Sequence, residues 1–275
     1  MLARVLSGIV LAGGIIAVLL LTPAWGLGLV VLAALLLVAG EFEAMAHADR
    51  RVTRFEQTVF RLSAVIAVSW PVLTEYIPAY DAGRALMLAF MVLSIGRLAR
   101  PDPIEDSLKR LSADGFALLY MGVTFPYIFL LRQANDPHGG WVVLLVMAVI
   151  FGGDTGAYFS GRFLGKHKLY PKISPKKTIE GAIGGLAAGV GIAFLARAYF
   201  PGHDALTVVD CIILGAGGAA FGAIGDLVES MLKRAYKVKD SGALIPGHGG
   251  MLDRIDGLLF GGPLMLFYLQ AVVSW

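Results

Sequence analysis

Nine apolar runs are strung along the chain, separated by short polar stretches, at 5–21, 25–40, 62–77, 81–96, 116–131, 141–159, 181–200, 207–232 and 255–273. Alternation of apolar and polar residues is absent, and few runs carry the polar stripe that a helix of a soluble domain turns to water. The pattern predicts an all-α, polytopic membrane protein with about nine transmembrane helices. A full crossing takes about 20 residues, so the shorter runs, the second and fourth above all, must recruit their flanks. The first run, behind Met1-Leu2-Ala3-Arg4, resembles a signal peptide, but a second begins a few residues later. It is therefore read as an uncleaved span.

Composition agrees. Hydrophobic residues make up 57% of the 275 positions and charged residues 16%, where soluble domains carry about a quarter charged. Mean hydropathy is +0.74. The single cysteine, Cys211, lies inside an apolar run and leaves no intrachain disulfide. The net charge of +3 says less than where the charges sit. With a cytoplasmic N-terminus, twenty of the 23 Lys and Arg fall on the cytoplasmic side, against Arg84, Arg132 and Arg197 on the other. That is the positive-inside bias, and the nine-span count passes this test, because dropping one run would scramble the alternation. The seventh run opens Gly181-Ala182-Ile183-Gly184-Gly185 and continues to Gly189, small residues at the spacing that lets helix backbones approach.

The chemistry gathers in two polar loops and the helix ends beside them. Asp226 lies near the cytoplasmic end of the eighth run; Asp253 and Asp256 open the ninth, three residues apart and so on one helical face. A hairpin of these two runs would bring Asp226 beside Asp253, and converging carboxylates next to basic groups suit Mg²⁺. The plainer reading is that the acids only neutralise neighbouring Lys and Arg, and for Glu229 and Asp256 it weighs as much as the functional one. Arg162, Lys166, Lys168, Lys172, Lys176, Lys177, Lys233, Arg234, Lys237, Lys239 and Arg254 crowd the same face. Attraction to anionic headgroups explains some of them, but not the glycines, prolines and hydroxyls between. Ser174-Pro175 reads as an N-cap with Pro at the first helical position, placing free amides beside Lys176, Lys177 and Thr178 as a phosphate site. Gly247-His248-Gly249-Gly250 would let backbone approach an anion in the same way.

The run 230–256 resembles the signature of the phosphatidate cytidylyltransferase (CDP-diacylglycerol synthase) family at Ser230, Lys233, Arg234, Lys239, Asp240, His248, Gly249, Gly250, Asp253, Arg254 and Asp256. Upstream, Ala157-Tyr158, Gly161-Arg162, Gly165-Lys166 and Ser174-Pro175-Lys176-Lys177-Thr178 are similar to further family elements; Gly257 departs from the Ser often found there. The resemblance is strongest over 141–275, which reads as the catalytic half of a single membrane domain, with 1–140 as variable N-terminal helices.

It implies transfer of CMP from CTP to phosphatidic acid, with Mg²⁺ held by Asp226 and Asp253 and a second, monovalent cation such as K⁺ nearby. It also implies catalytic roles for Lys233, Arg234 and Asp256. Lys176, Lys177, Lys233, Arg234 and Arg254 would meet phosphate charge, and Asp154 and Asp256 would orient metal or base. Arg162, Ser174, Thr178, Lys239, His248, Gly249 and Gly250 complete the substrate-binding set. Membrane lipids surround such a protein, a homodimer is compatible with it, and no nucleic-acid partner is implied. A CTP-dependent polyprenol kinase is the nearest rival. A transporter is another, but its charged groups would sit near the bilayer midplane.

Overall fold

The computed structural model describes residues 2–49, 52–101, 103–134, 137–202, 204–242 and 249–273. Ten α-helices follow in order: α1 (Leu2–Leu21), α2 (Ala24–Ala46), α3 (Arg54–Val68), α4 (Trp70–Leu73), α5 (Ala82–Ala99), α6 (Ile104–Gln133), α7 (Gly139–Leu164), α8 (Ile179–Tyr199), α9 (Val208–Ala235) and α10 (Leu252–Tyr268), the last running into a π-helical turn to Val273. A two-stranded antiparallel hairpin, β1 (Lys168–Tyr170) and β2 (Ser174–Thr178), lies between α7 and α8. Among the described residues seven helices are long and apolar enough to cross a membrane: α2, α5, α6, α7, α8, α9 and α10 with its π turn. The molecule is an all-α, polytopic membrane protein. The second and fourth runs, weakest in the sequence, are both among the seven.

The third run is displaced. Its helix begins at Arg54, inside a capping box in which Thr53 and Glu56 satisfy each other's amides. It stops at Val68 because Pro71 sits in the following turn and offers no N–H to continue the ladder. The first half of α3 is polar (Arg54, Glu56, Gln57, Arg61), so hydropathy alone places the segment too late.

Helix ends meet on two faces. On one, the C-terminal end of α2 reaches the start of α10, and the C-terminal end of α5 reaches the start of α3 and, at Asp114, the N-terminal third of α6. On the other, Arg132 at the end of α6 donates to Thr22 O (3.2 Å), Gln133 bonds Glu75 (3.2 Å), and Tyr268 of α10 donates to Asp210 at the start of α9 (2.6 Å). Trp141 and Phe200 pack there with ring centroids 5.0 Å apart. The apolar core runs the length of the bundle, through Leu35, Phe42, Phe60, Met121, Phe125, Leu145, Ile150 and Leu259.

In the C-terminal half α8 lies against α7 and α9 through small residues. A Cβ on Gly185 would stand 2.9 Å from Gly153 O, and one on Gly189 would stand 2.4 Å from Gly215 O. Only hydrogen fits at these crossings. The N-terminal half is tied instead by buried charge. His47 Nε2 lies 2.8 Å from Asp114 Oδ1, and Arg97 forks to Glu56 (2.7 Å) and to the other oxygen of Asp114. Counted in the sequence as a loop charge that sets topology, Arg97 is thus an internal cation joining α3, α5 and α6.

Candidate functional site

The site forms where α7, the hairpin, α8, α9 and α10 converge. Ser174-Pro175 does not start a helix: Ser174 through Thr178 form β2, with Lys168 opposite Thr178 and Tyr170 opposite Ser174. Proline is tolerated in such an edge strand, which has no central ladder to break. The helix starts later, with Thr178 as N-cap accepting from Gly181 N at 3.1 Å. Glu180 then closes the hairpin, accepting from the amides of Lys166 (3.1 Å) and His167 (3.2 Å) and pairing with His167 Nδ1 (2.6 Å). The anion-ready helix start expected at Ser174 is therefore absent, and Lys176 and Lys177 stand on a strand.

That strand walls a cavity of about 670 Å³. Asp154, Arg162, Ser174, Lys176, Lys177, Thr178 and Asp226 line it, together with Tyr158, Leu169, Ala182 and Ala223. Tyr158 and Arg162, one turn apart on α7, bond at 2.8 Å. Residues chosen from the first polar loop, from the end of α7 and from α9 thus share one chamber. Polar groups come from the hairpin, from α7 and, at Asp226, from α9, and apolar surface comes from Ala182 of α8 and Ala223 of α9.

Lys177 connects the chamber to the acids. Its ammonium lies 2.7 Å from Asp226 Oδ2 and 3.1 Å from Ala223 O. Asp226, Glu229 and Asp256 bring carboxylate oxygens within 4.8 Å of one another. Glu229 is fully buried and its Oε1 has no hydrogen-bond partner. Lys233, one turn along α9, pairs with Glu229 and reaches Asp253 Oδ1 at 2.6 Å. Asp253 Oδ2 accepts from Ser241 N (2.9 Å) and Gly250 N (2.8 Å). Gly249 adopts φ +74°, and a Cβ there would meet Asp253 Oδ2 at 2.6 Å; the turn needs glycine on both counts.

Asp226 and Asp253 therefore sit in one charge chain, but the carboxylates that crowd Asp226 are Glu229 and Asp256, with Lys233 standing before Asp253. Arg234 donates to Val238 O at 3.0 Å, while Lys239 and Arg254 are exposed outside the cavity. His248, with Pro246 and Gly247, lies outside the described residues. One participant escaped the sequence reading. Glu41, at the end of α2, accepts from Met251 N and Leu252 N at the start of α10. Its only signal in the sequence is an acid closing an apolar run.

A hard-oxygen cluster with an unsatisfied buried carboxylate oxygen is a donor set that fits a divalent cation such as Mg²⁺. Fold and site together define a polytopic membrane protein with a half-basic, half-acidic chamber between its helix ends, suited to a phosphate-bearing substrate. The chain belongs to the cytidylyltransferase family, whose model matches residues 2–272. It is similar to the phosphatidate cytidylyltransferase of Bacillus subtilis (strain 168), 43% identical over 155 residues that cover 56% of each chain. That of Brucella suis biovar 1 is 35% identical over 227 residues, 82% of this chain and 80% of the relative. That of Haemophilus influenzae is 44% identical over 141 residues, 50% and 49%. The chain thus spans about half the length of some of these relatives and four-fifths of another.

Proposed function

We propose that this protein transfers CMP from CTP to phosphatidic acid, giving CDP-diacylglycerol and pyrophosphate for phospholipid biosynthesis. The observation that carries the reading is the chamber itself, lined by Lys176, Lys177, Arg162, Asp154 and Asp226, the last adjoining Glu229 and Asp256, in a chain whose relatives at 35–44% identity bear that activity's name. A lipid phosphate oxygen forms the new bond to the α-phosphorus of CTP, and the bond to the β-phosphate oxygen breaks. A phosphate monoester with a second pKa of about 6 is already ionised at neutral pH, so no side chain need act as general base. The chain's part is alignment and charge neutralisation. Lys176, Lys177 and Arg162 bind phosphate oxygens, and Thr178 and Ser174 orient them.

Asp226 is the acid common to both sets of metal ligands, joined by Asp253 in the family signature and by Glu229 and Asp256 in the carboxylate geometry. Mg²⁺ bound there supplies Lewis-acid charge to the phosphates, and a monovalent cation such as K⁺ beside it belongs to the same proposal. The test uses purified protein, phosphatidic acid, Mg²⁺ and CTP labelled on either the α- or the γ-phosphate. Label from the α-phosphate alone should appear in extracted lipid. Transfer of γ-label would replace the reading with a CTP-dependent lipid kinase.

The same proposal places nine spans in the bilayer, with the N-terminus and the site cytoplasmic, on the distribution of Lys and Arg. In a Cys211→Ala background, Lys172→Cys on the hairpin should react with a membrane-impermeant thiol reagent only from the cytoplasmic side. Ala79→Cys should react only from the other. Labelling of both from one side would sink the orientation.

A further inference from the structure

Glu41 lies outside the run that carries the family signature and outside the cavity lining. Its carboxylate nevertheless sits against the backbone that presents Asp253. Oε1 accepts from Met251 N (2.6 Å), and Oε2 accepts from Leu252 N (2.9 Å) and lies 2.9 Å from Ser241 Oγ. Ser241 Oγ is also 3.0 Å from Asp253 Oδ2, so its one proton serves one carboxylate at a time. The fit leaves no spare volume. A Cβ on Gly250 would stand 2.5 Å from Glu41 Oε2, and one on Gly242 would stand 2.8 Å from Oε1.

We propose that Glu41 is a positioning residue for the transfer reaction, fixing the Asp253–Lys233 pair from the opposite half of the chain. The inference rests on the proposed function for its effect on turnover, but not for the anchoring itself. Two features separate it from an ordinary helix cap. The amides it binds belong to the two residues immediately before Asp253, so freeing them frees the rotation of α10's first turn. Through Ser241 it shares a proton with the very oxygen of Asp253 that Gly250 N also holds, while the other oxygen meets Lys233. A carboxylate that orients such a partner carries about 10–100-fold of metal affinity or activity.

The test compares full-length wild type with Glu41→Gln, which keeps one acceptor oxygen at the same length, and Glu41→Ala, all in lipid nanodiscs. Hydrogen–deuterium exchange reads the anchor: amide exchange at Met251 and Leu252 should accelerate in both variants while that of α6 stays unchanged. Turnover per folded molecule should fall about 10–100-fold in Glu41→Ala, with a higher Mg²⁺ concentration for half-maximal rate and little change in KM for CTP. Gly242→Ala should be harmful in wild type and nearly neutral on top of Glu41→Ala, whose shorter side chain vacates the space.

Unchanged exchange would overturn the anchoring. Faster exchange or a lower melting temperature with wild-type turnover and metal response would overturn the positioning role, leaving Glu41 a structural cap. If Glu41→Ala does not fold, Glu41→Gln is judged by the same criteria. If wild type transfers no CMP, the proposed function fails, while the exchange experiment still decides the anchor.

Discussion

Asp226→Asn should lower CMP transfer by about 10³-fold, equivalent to about 4 kcal/mol of lost transition-state stabilisation. Asparagine keeps the volume and one carbonyl oxygen but removes the charge that a hard cation prefers. It also releases Lys177, now 2.7 Å from Asp226, onto the wrong partners. Asp226 is common to the pair Asp226 and Asp253 implied by the family resemblance and to the cluster Asp226, Glu229 and Asp256, so its loss is the most damaging under either ligand set. The neighbouring acids decide between the sets. If Asp253 shares the ion, Asp253→Asn should be as inactive as Asp226→Asn, and the double variant little worse, as groups acting as a unit behave. If the cluster holds it, Glu229→Gln and Asp256→Asn should raise the Mg²⁺ requirement more than Asp253→Asn does. Rates measured against Mg²⁺ concentration distinguish these outcomes. A wild-type response in Asp226→Asn would remove Asp226 from the site.

Lys233→Met should cost stability as well as turnover. The lysine side chain is 10% exposed and stands between Glu229, at 0%, and Asp253, at 12%. Removing the one ammonium that pairs with both leaves buried carboxylates uncompensated, a loss of about 3–5 kcal/mol in such settings. Combining Lys233→Met with Glu229→Gln removes the worst of that burden and should recover much of the melting temperature in detergent. Activity should not return with it, because the positive charge between α9 and α10 is still missing. A single variant that melts like wild type would show that the charge chain adds nothing to the fold.

What could be read in advance follows the physics of each feature. The spans were legible because hydrocarbon demands long apolar runs with internal hydrogen bonding. That Asp154, Arg162, Lys176, Lys177 and Asp226 lie at one end of the bundle could be read from their positions at helix ends and in the adjoining loop, but the chamber they line could not, because the strand that walls it reads as a helix start. The third span was misplaced because α3 is half polar and ends at a proline-bearing turn rather than where hydropathy fades. The start of α8 was misread because Ser174-Pro175 and Thr178-Ile179-Glu180-Gly181 both look like helix openings; strand pairing with Lys168 and Tyr170 selects the second. Arg97 and Glu41 were opaque for a common reason. Their partners, Asp114 and Met251, are distant in sequence, and no local pattern distinguishes a charge that will be enclosed from one that will stay in water.

The bond from Glu41 to Met251 joins residues 210 positions apart. Ribosomes add about 5–20 residues per second, so about 10–40 s of synthesis separate the two ends of this contact. Throughout that interval the carboxylate must find other partners, and its place at the end of α2 rather than mid-helix keeps it within reach of water. The helix made after α9 is thus the one that completes the site. A nascent chain released before α10 would own the wall of lysines and the acids of α9, yet have no first turn for Glu41 to hold.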